Sequence, residues 1–273
     1  MRYPAVAGRF YPLQRDELLQ QIEWCFEHPL GPGRIGACRN ERRIKGVLVP
    51  HAGYQCSGMN AAHSFKELAE DGRPDAYIII GPDHYGIPFD FVLCSDSYLT
   101  PLGECRVHEK IAAKLAQSIT DSPNAHRFEH SVEVEVPFLQ YIDPDARIVP
   151  VIMHRQDIES AMRLGDTIRK ACEGYDVVVM ASSDMSHYVP KDTAERLDGM
   201  LLERACALDI GGMYDVISRY DISACGYGPI AAMITAVRPE KGTLLKHSDS
   251  WDSLNYMRES VVGYASAIFT RVR

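Results

Sequence analysis

The chain of 273 residues has no apolar run approaching the ~20 residues needed to cross a bilayer as a helix. A membrane-spanning protein is therefore not expected. Its opening stretch, MRYPAVAGRFYP, lacks the apolar core of a signal peptide, and a cytoplasmic location is the expectation. There is no basic block. Lys+Arg is 29 against Asp+Glu 37, a formal net charge of −8, so a nucleic-acid partner is not expected. None of the eight cysteines (Cys25, Cys38, Cys56, Cys94, Cys105, Cys172, Cys206 and Cys225) sits in a CxxC pair, which argues against a zinc ribbon. Without an export signal, free and mostly buried thiols are the default reading. Internal repeats and low-complexity segments are also missing, which excludes solenoids and arrays.

Hydrophobic residues at 46% and charged residues at 24% supply a sizeable core, and the length suits one domain spanning 1–273. Two periods alternate along it. Short apolar, β-rich runs lie at 44–50, 76–81, 91–94, 146–153, 176–182, 242–247 and 261–272. Helical spacing of apolar residues marks 15–27, 58–70, 107–117, 131–142, 158–172, 193–207 and 229–236. The stretch 28–43 reads as an irregular connection. Strand–helix alternation predicts an α/β fold, an αβα sandwich around a largely parallel central sheet. The runs GVLVP, AYIIIG and VVVMASS are almost continuously apolar, as central strands buried on both faces must be.

Each of these three runs ends at a turn carrying a histidine. GVLVP leads into His51, AYIIIG into His84, and VVVMASS into Asp184 and His187. Parallel strands finish on one edge of their sheet, where open α/β folds place ligand sites. The three histidines are therefore predicted to converge. Neutral imidazole binds borderline metals and titrates near neutrality, and an Asp three residues from a His can orient its ring or ligate beside it. Cys225 lies in ACGYGPI, a Gly/Pro turn just before an apolar helix. A helix N-terminus favours a thiolate, which binds metal or attacks an electrophile. The segment FEHSVEVEVPF admits two readings. Ser131 caps a helix with Glu133 and Glu135 in its first turn, or Glu129 or His130 leans into the same pocket. Tyr54, Tyr85 or Tyr188 is available to position a small substrate. Cys56, five positions beyond His51, is a competing ligand or a core residue.

Taken in order, PAVAGRFYP, VPHAGY, GPDHYG, EHSVEVEVPFLQ, ASSDMSHY, ACGYGPI and YASAIF resemble the Memo family, most closely its microbial branch, protein B of the AmmeMemoRadiSam system. The resemblance covers essentially the whole chain. It implies a fold related to class III extradiol ring-cleaving dioxygenases. It also implies a metal pocket of His51, His84 and Cys225, lined by Asp184 and His187 and supported by Glu129, His130 and Tyr54. Fe(II) is the first expectation for the metal, with Cu or Zn as alternatives. An AMME-domain protein and a radical-SAM protein are the partners it suggests. The dioxygenases hold Fe(II) with two His and one carboxylate. Here a cysteine stands in the carboxylate's place, so ring cleavage does not simply transfer.

Three functions are weighed. The first is a metal-dependent oxidoreductase acting on a small substrate, with His187 as general acid/base oriented by Asp184. The second is a non-enzymatic metal- or peptide-binding scaffold. The third is a cysteine hydrolase or transferase with Cys225 as nucleophile. The metal readings require two imidazoles and one sulfur, remote in sequence, within ~8 Å of one another.

Overall fold

Continuously apolar runs become the centre of the sheet because a strand covered on both faces has no side that tolerates water. In the computed structural model, which describes residues 1–271, the strands are β1 (Ile44–Val49), β2 (Ala76–Pro82), β3 (Phe91–Leu93), β4 (Tyr98–Thr100), β5 (Gly103–Val107), β6 (Thr120–Asp121), β7 (Arg147–Met153), β8 (Val177–Ser182), β9 (Asp184–Val189), β10 (Lys241–Asp249) and β11 (Val261–Thr270). The last strand was expected to reach Val272, which lies outside the described residues. The helices are α1 (Arg15–Glu27), α2 (Met59–Asp71), α3 (Glu109–Leu115), α4 (Val136–Ile142), α5 (Ile158–Ala171), α6 (Lys191–Cys206), α7 (Ile210–Tyr220), α8 (Tyr227–Val237) and α9 (Ser250–Leu254).

The strand order is β10-β11-β1-β8-β2-β7-β3-β6. Its centre, β1-β8-β2-β7, is parallel throughout. Antiparallel pairings flank it, with β11 between β1 and β10 on one side and β3 beside β7 on the other. The domain is thus an α/β domain with a mostly parallel, mixed sheet between helices. The connection from β1 to β2 and the one from β7 to β8 run across the sheet in opposite directions, so right-handed crossovers place α2 and α5 on opposite faces. α2 packs with α1 and α4, whereas α8 lies on β8, β1 and β2 with α5 outside it. α8 is apolar almost all round because it is sandwiched there. Gly165 permits that packing, since a Cβ on it would collide with the Ala232 carbonyl.

Three local departures from expectation shape the site. The stretch predicted as one helix over 131–142 is a 3₁₀ turn, Glu133–Glu135, followed by α4, with Pro137 in the first turn. Ser131 is not its cap; its hydroxyl donates to the Pro82 carbonyl at 2.9 Å. The second departure is α7, between the expected helices. The third is DMSHY, read as a turn but observed as strand β9. β1 stops at Val49, and the chain leaving β8 crosses over that end to pair antiparallel with β11, matching Tyr264 to Asp184 and Val262 to His187. The Ser183 N–H donates to the Val49 carbonyl at the crossing, at 2.9 Å.

Candidate metal pocket

At the carboxyl edge of the parallel strands, His51, His84 and Cys225 come together, with one ligand atom from each lying within 4.8 Å of the others. The expected convergence of these three is therefore found. His187 borders the same pocket, close enough to act electrostatically on His51 and Asp184.

His51 follows β1 and is 1% exposed. Its Nδ1 lies 2.7 Å from Ser182 Oγ. Ser182 also donates to the Ser131 carbonyl at 2.7 Å, and its single proton is used there. The network therefore assigns the proton to His51 Nδ1, leaving the Nε2 lone pair facing Cys225 Sγ at 3.3 Å. Burial, with His84, His130 and His187 as further positive neighbours, holds the ring well below the usual histidine range. His51 is thus a neutral donor.

His84 is presented by a loop folded around Asp83, whose carboxylate accepts from the N–H groups of Tyr85, Gly86 and Ile87 and from His154 Nδ1. Glu129 then fixes the ring. It accepts from His84 Nδ1 at 2.9 Å and from the His84 N–H at 2.7 Å. The N–H groups of His130 and Ser131 also donate to it, both at 2.8 Å. Burial opposes ionisation of Glu129, but these donors override it and hold the carboxyl down to about 2. Against its own burial, His84 is raised by the same pair. With Nδ1–H tied to a carboxylate, Nε2 of His84 is the atom left for a metal, the arrangement that commonly orients metal-bound histidines. A second grouping, His84, Glu129 and His130, also has metal-like proximity. Glu129 Oε1 already takes three N–H donors there, so these residues serve better as support for His84. His130 stacks on His84 at 4.4 Å and meets His51 edge-on at 5.6 Å, with Phe10 against its other side. Burial lowers it to about 4.

Cys225 sits two residues before α8. Gly226, whose Cβ would collide with the Ser182 carbonyl, permits the close turn. Gln156 holds that turn from outside, donating to the Cys225 carbonyl at 2.8 Å and accepting from the Gly228 N–H at 2.9 Å. Sγ accepts from the Asp184 N–H at 3.2 Å. The expected thiolate at a helix end is not favoured by the surrounding protein groups: burial, then the nearby Asp184 carboxyl, push the thiol up. A metal cation would displace that proton.

Two expectations are corrected. Asp184 does not orient His187. Its carboxyl accepts from the His51 N–H at 2.9 Å and from the Ala52 N–H, fixing the turn after β1, and burial raises it to about 6. His187 is instead oriented by Ser223, whose carbonyl lies 2.9 Å from Nδ1 and whose hydroxyl accepts the His187 N–H at 2.8 Å. The reason is β9, which sets His187 against Ser223, so that this one residue meets both the His187 N–H and Nδ1. Tyr54 does not face the pocket either. It is fully buried against Phe138 and Tyr11, and its hydroxyl donates to the Val134 carbonyl at 2.8 Å, so it props up the glutamate segment from behind. Cys56 is outside the ligand group and interacts with Tyr264. Tyr85 and Tyr188 are exposed at the rim. Ser182, Ser223, Gln156 and Asp83 were not singled out from the sequence, because single polar residues in turns carry no distinguishing pattern.

A family model described as Memo-like protein matches residues 2–268. A MEMO1 family protein of Methanopyrus kandleri is 43% identical, covering 99% of both chains. Another, from Methanothermobacter thermautotrophicus, is 44% identical over 97% of this chain and 99% of its own. Among solved structures, an uncharacterized protein from Escherichia coli K12 superposes with a TM-score of 0.57 at 14% identity, covering 83% of this chain and all of its own, a likeness of fold alone.

Proposed function

The chain belongs to the Memo family, and on that basis we propose that it is a metal-binding oxidoreductase, holding Fe(II), or alternatively Cu or Zn, through His51 Nε2, His84 Nε2 and Cys225 Sγ. The observation that carries this reading is the disposition of nitrogen atoms. Both imidazoles have Nδ1 tied by protein partners, and one ligand atom from each lies within 4.8 Å of the Cys225 sulfur. The donor set fits such an ion, because nitrogen and thiolate are preferred by borderline first-row metals. When bound, an ion there would supply Lewis acidity and, for iron or copper, an accessible electron.

The chain's own residues supply proton handling and shape. His187, with its Nδ1–H on the Ser223 carbonyl, offers Nε2 as a proton acceptor or donor at the mouth. Tyr85 and Tyr188 give that mouth an aromatic rim suited to a small substrate with an apolar body. Cysteine nucleophile chemistry is disfavoured by the raised Cys225 thiol.

The test is anaerobic purification followed by elemental analysis and O₂-uptake measurement with small reductants. Wild type is expected to hold about one metal per chain, and His84→Ala and Cys225→Ser to lose it together with any metal-dependent uptake. Equal metal content and equal uptake in wild type and His84→Ala would overturn the proposal. Tight metal retention without turnover would reduce it to a binding function.

A further inference from the structure

Ser182 Oγ has one proton and three close partners: the Ser131 carbonyl at 2.7 Å, His51 Nδ1 at 2.7 Å and Glu135 Oε1 at 3.0 Å. A carbonyl only accepts, so the proton goes to Ser131. The two remaining lone pairs of Oγ then face donors. His51 supplies Nδ1–H. The third partner is a carboxyl oxygen, and it donates only when protonated.

The surroundings of Glu135 agree. It is 1% exposed, makes no ion pair among the described residues, and leaves Oε2 buried without a hydrogen-bond partner. The titratable groups facing it are Asp184 and Tyr54, neither of them a cation, and, across the shared Ser182 Oγ, His51. A carboxylate there would be buried with a single hydrogen bond and no compensating charge, and it would take the Ser182 proton away from the Ser131 carbonyl.

We propose that Glu135 is kept as a neutral carboxylic acid that donates to Ser182, and that it is a positioning residue, fixing the Ser182 hydroxyl that receives His51 Nδ1–H and so directing Nε2 toward the metal site. An ionised Glu135 would compete with the Ser131 carbonyl for the Ser182 proton and turn the hydroxyl, loosening the acceptor that aims the His51 ring. Burial, acting against the Ser182 hydroxyl, keeps Glu135 well above the usual carboxylate range, in agreement. The functional half of this inference rests on the metal-binding reading; the protonation state does not.

The experiment has two arms on the full chain. In the first, infrared difference spectra of wild type against Glu135→Gln at neutral pH read the protonated-carboxyl C=O stretch. The band is expected in wild type and absent from the variant, and its absence from wild type would overturn the proposal. In the second, Zn²⁺ affinity is measured by chelator competition, with thermal melting confirming that each variant folds. Glu135→Gln keeps a neutral N–H donor and is expected to bind within about threefold of wild type. Ser182→Ala is expected to lose about 10–100-fold, the usual effect of removing a ligand's orienting partner, and Glu135→Leu about tenfold. Glu135→Gln as weak as Ser182→Ala would mean that a charge is needed. Glu135→Leu as tight as wild type would mean that Glu135 positions nothing. Either overturns the proposal. Zn²⁺ failing to bind wild type would count against the metal reading while the infrared arm still decides the acid.

Discussion

Three glutamates of one short segment do three different jobs, and at the residue scale the pocket is built from that division. Glu129 orients His84, Glu133 grips the N-terminal segment, and Glu135 reaches His51 through Ser182. Glu129→Gln removes the charge that raises His84 and turns an amide N–H toward N–H donors. Metal affinity is expected to fall about 10–100-fold by chelator competition. Stability at neutral pH should drop by about 1–3 kcal/mol in urea titrations. In NMR titration of the metal-free protein, the His84 pKa should fall; an unchanged His84 titration would refute the pairing. Of this division the chain made legible only that a carboxylate or imidazole of EHSVEVEV leans toward the pocket. Helix capping and pocket support use the same residue types, so one sequence cannot separate them.

At the scale of elements, the crossover from β8 to β9 sets the geometry. Ser182, Ser183 and Asp184 turn to different neighbours in succession: the His51 ring, the Gly226 N–H at 2.9 Å, and the His51 backbone. Gly226→Ala is expected to push the Cys225 turn off the Ser182 carbonyl, abolishing metal retention and costing about 1–3 kcal/mol. Elemental analysis and thermal melting check both, and full metal content would refute the steric reading. The buried parallel strands were readable because each is an unbroken apolar run. β9 was not, since Asp, Ser and His interrupt it and its partner β11 lies far along the chain. The β4–β5 hairpin was missed for a different reason: its strands alternate buried and more exposed residues, but they are only three and five residues long, too short for the period to stand out. His187 was found for its position at a strand end, but its orienting partner is a main-chain carbonyl, and main-chain contacts leave no trace in residue identity.

At the scale of the whole molecule, the N-terminal segment is fastened to the core by a buried ion pair. Arg2 pairs with Glu133 and donates to the carbonyls of His126 and Glu129, while Ala5, Val6 and Tyr11 also donate to Glu133. Arg2→Met would strand a buried carboxylate and is expected to cost about 3–5 kcal/mol in thermal or urea unfolding. A loss under 1 kcal/mol would refute this estimate. Acid acts through the same region. Burial lowers His126 to about 4, with Tyr98 donating to Nδ1 at 2.8 Å and Nε2 bonded to the Val92 carbonyl at 3.1 Å. Its unfolded counterpart titrates near 6.5, so the unfolded chain takes up the proton first as pH falls. The stabilisation is complete above about 6.5 and is lost as pH drops toward 4, by about 3 kcal/mol for this residue. Urea midpoints at pH 7, 5.5 and 4.5 should show that slope, and His126→Phe, though weaker at pH 7, should show a shallower one. His130 and His51 share its sign, so part of the slope should persist.

Every bond that aims the two imidazoles is made between protein groups. Their directions are thus fixed by folding rather than by the ion. Chelators should accordingly empty the pocket without a cooperative loss of circular dichroism, and reloading should proceed without a refolding phase, in contrast to zinc fingers, which come apart with their ion. In a cell, such a protein would persist intact while starved of metal, ready to take up an ion as soon as one is supplied.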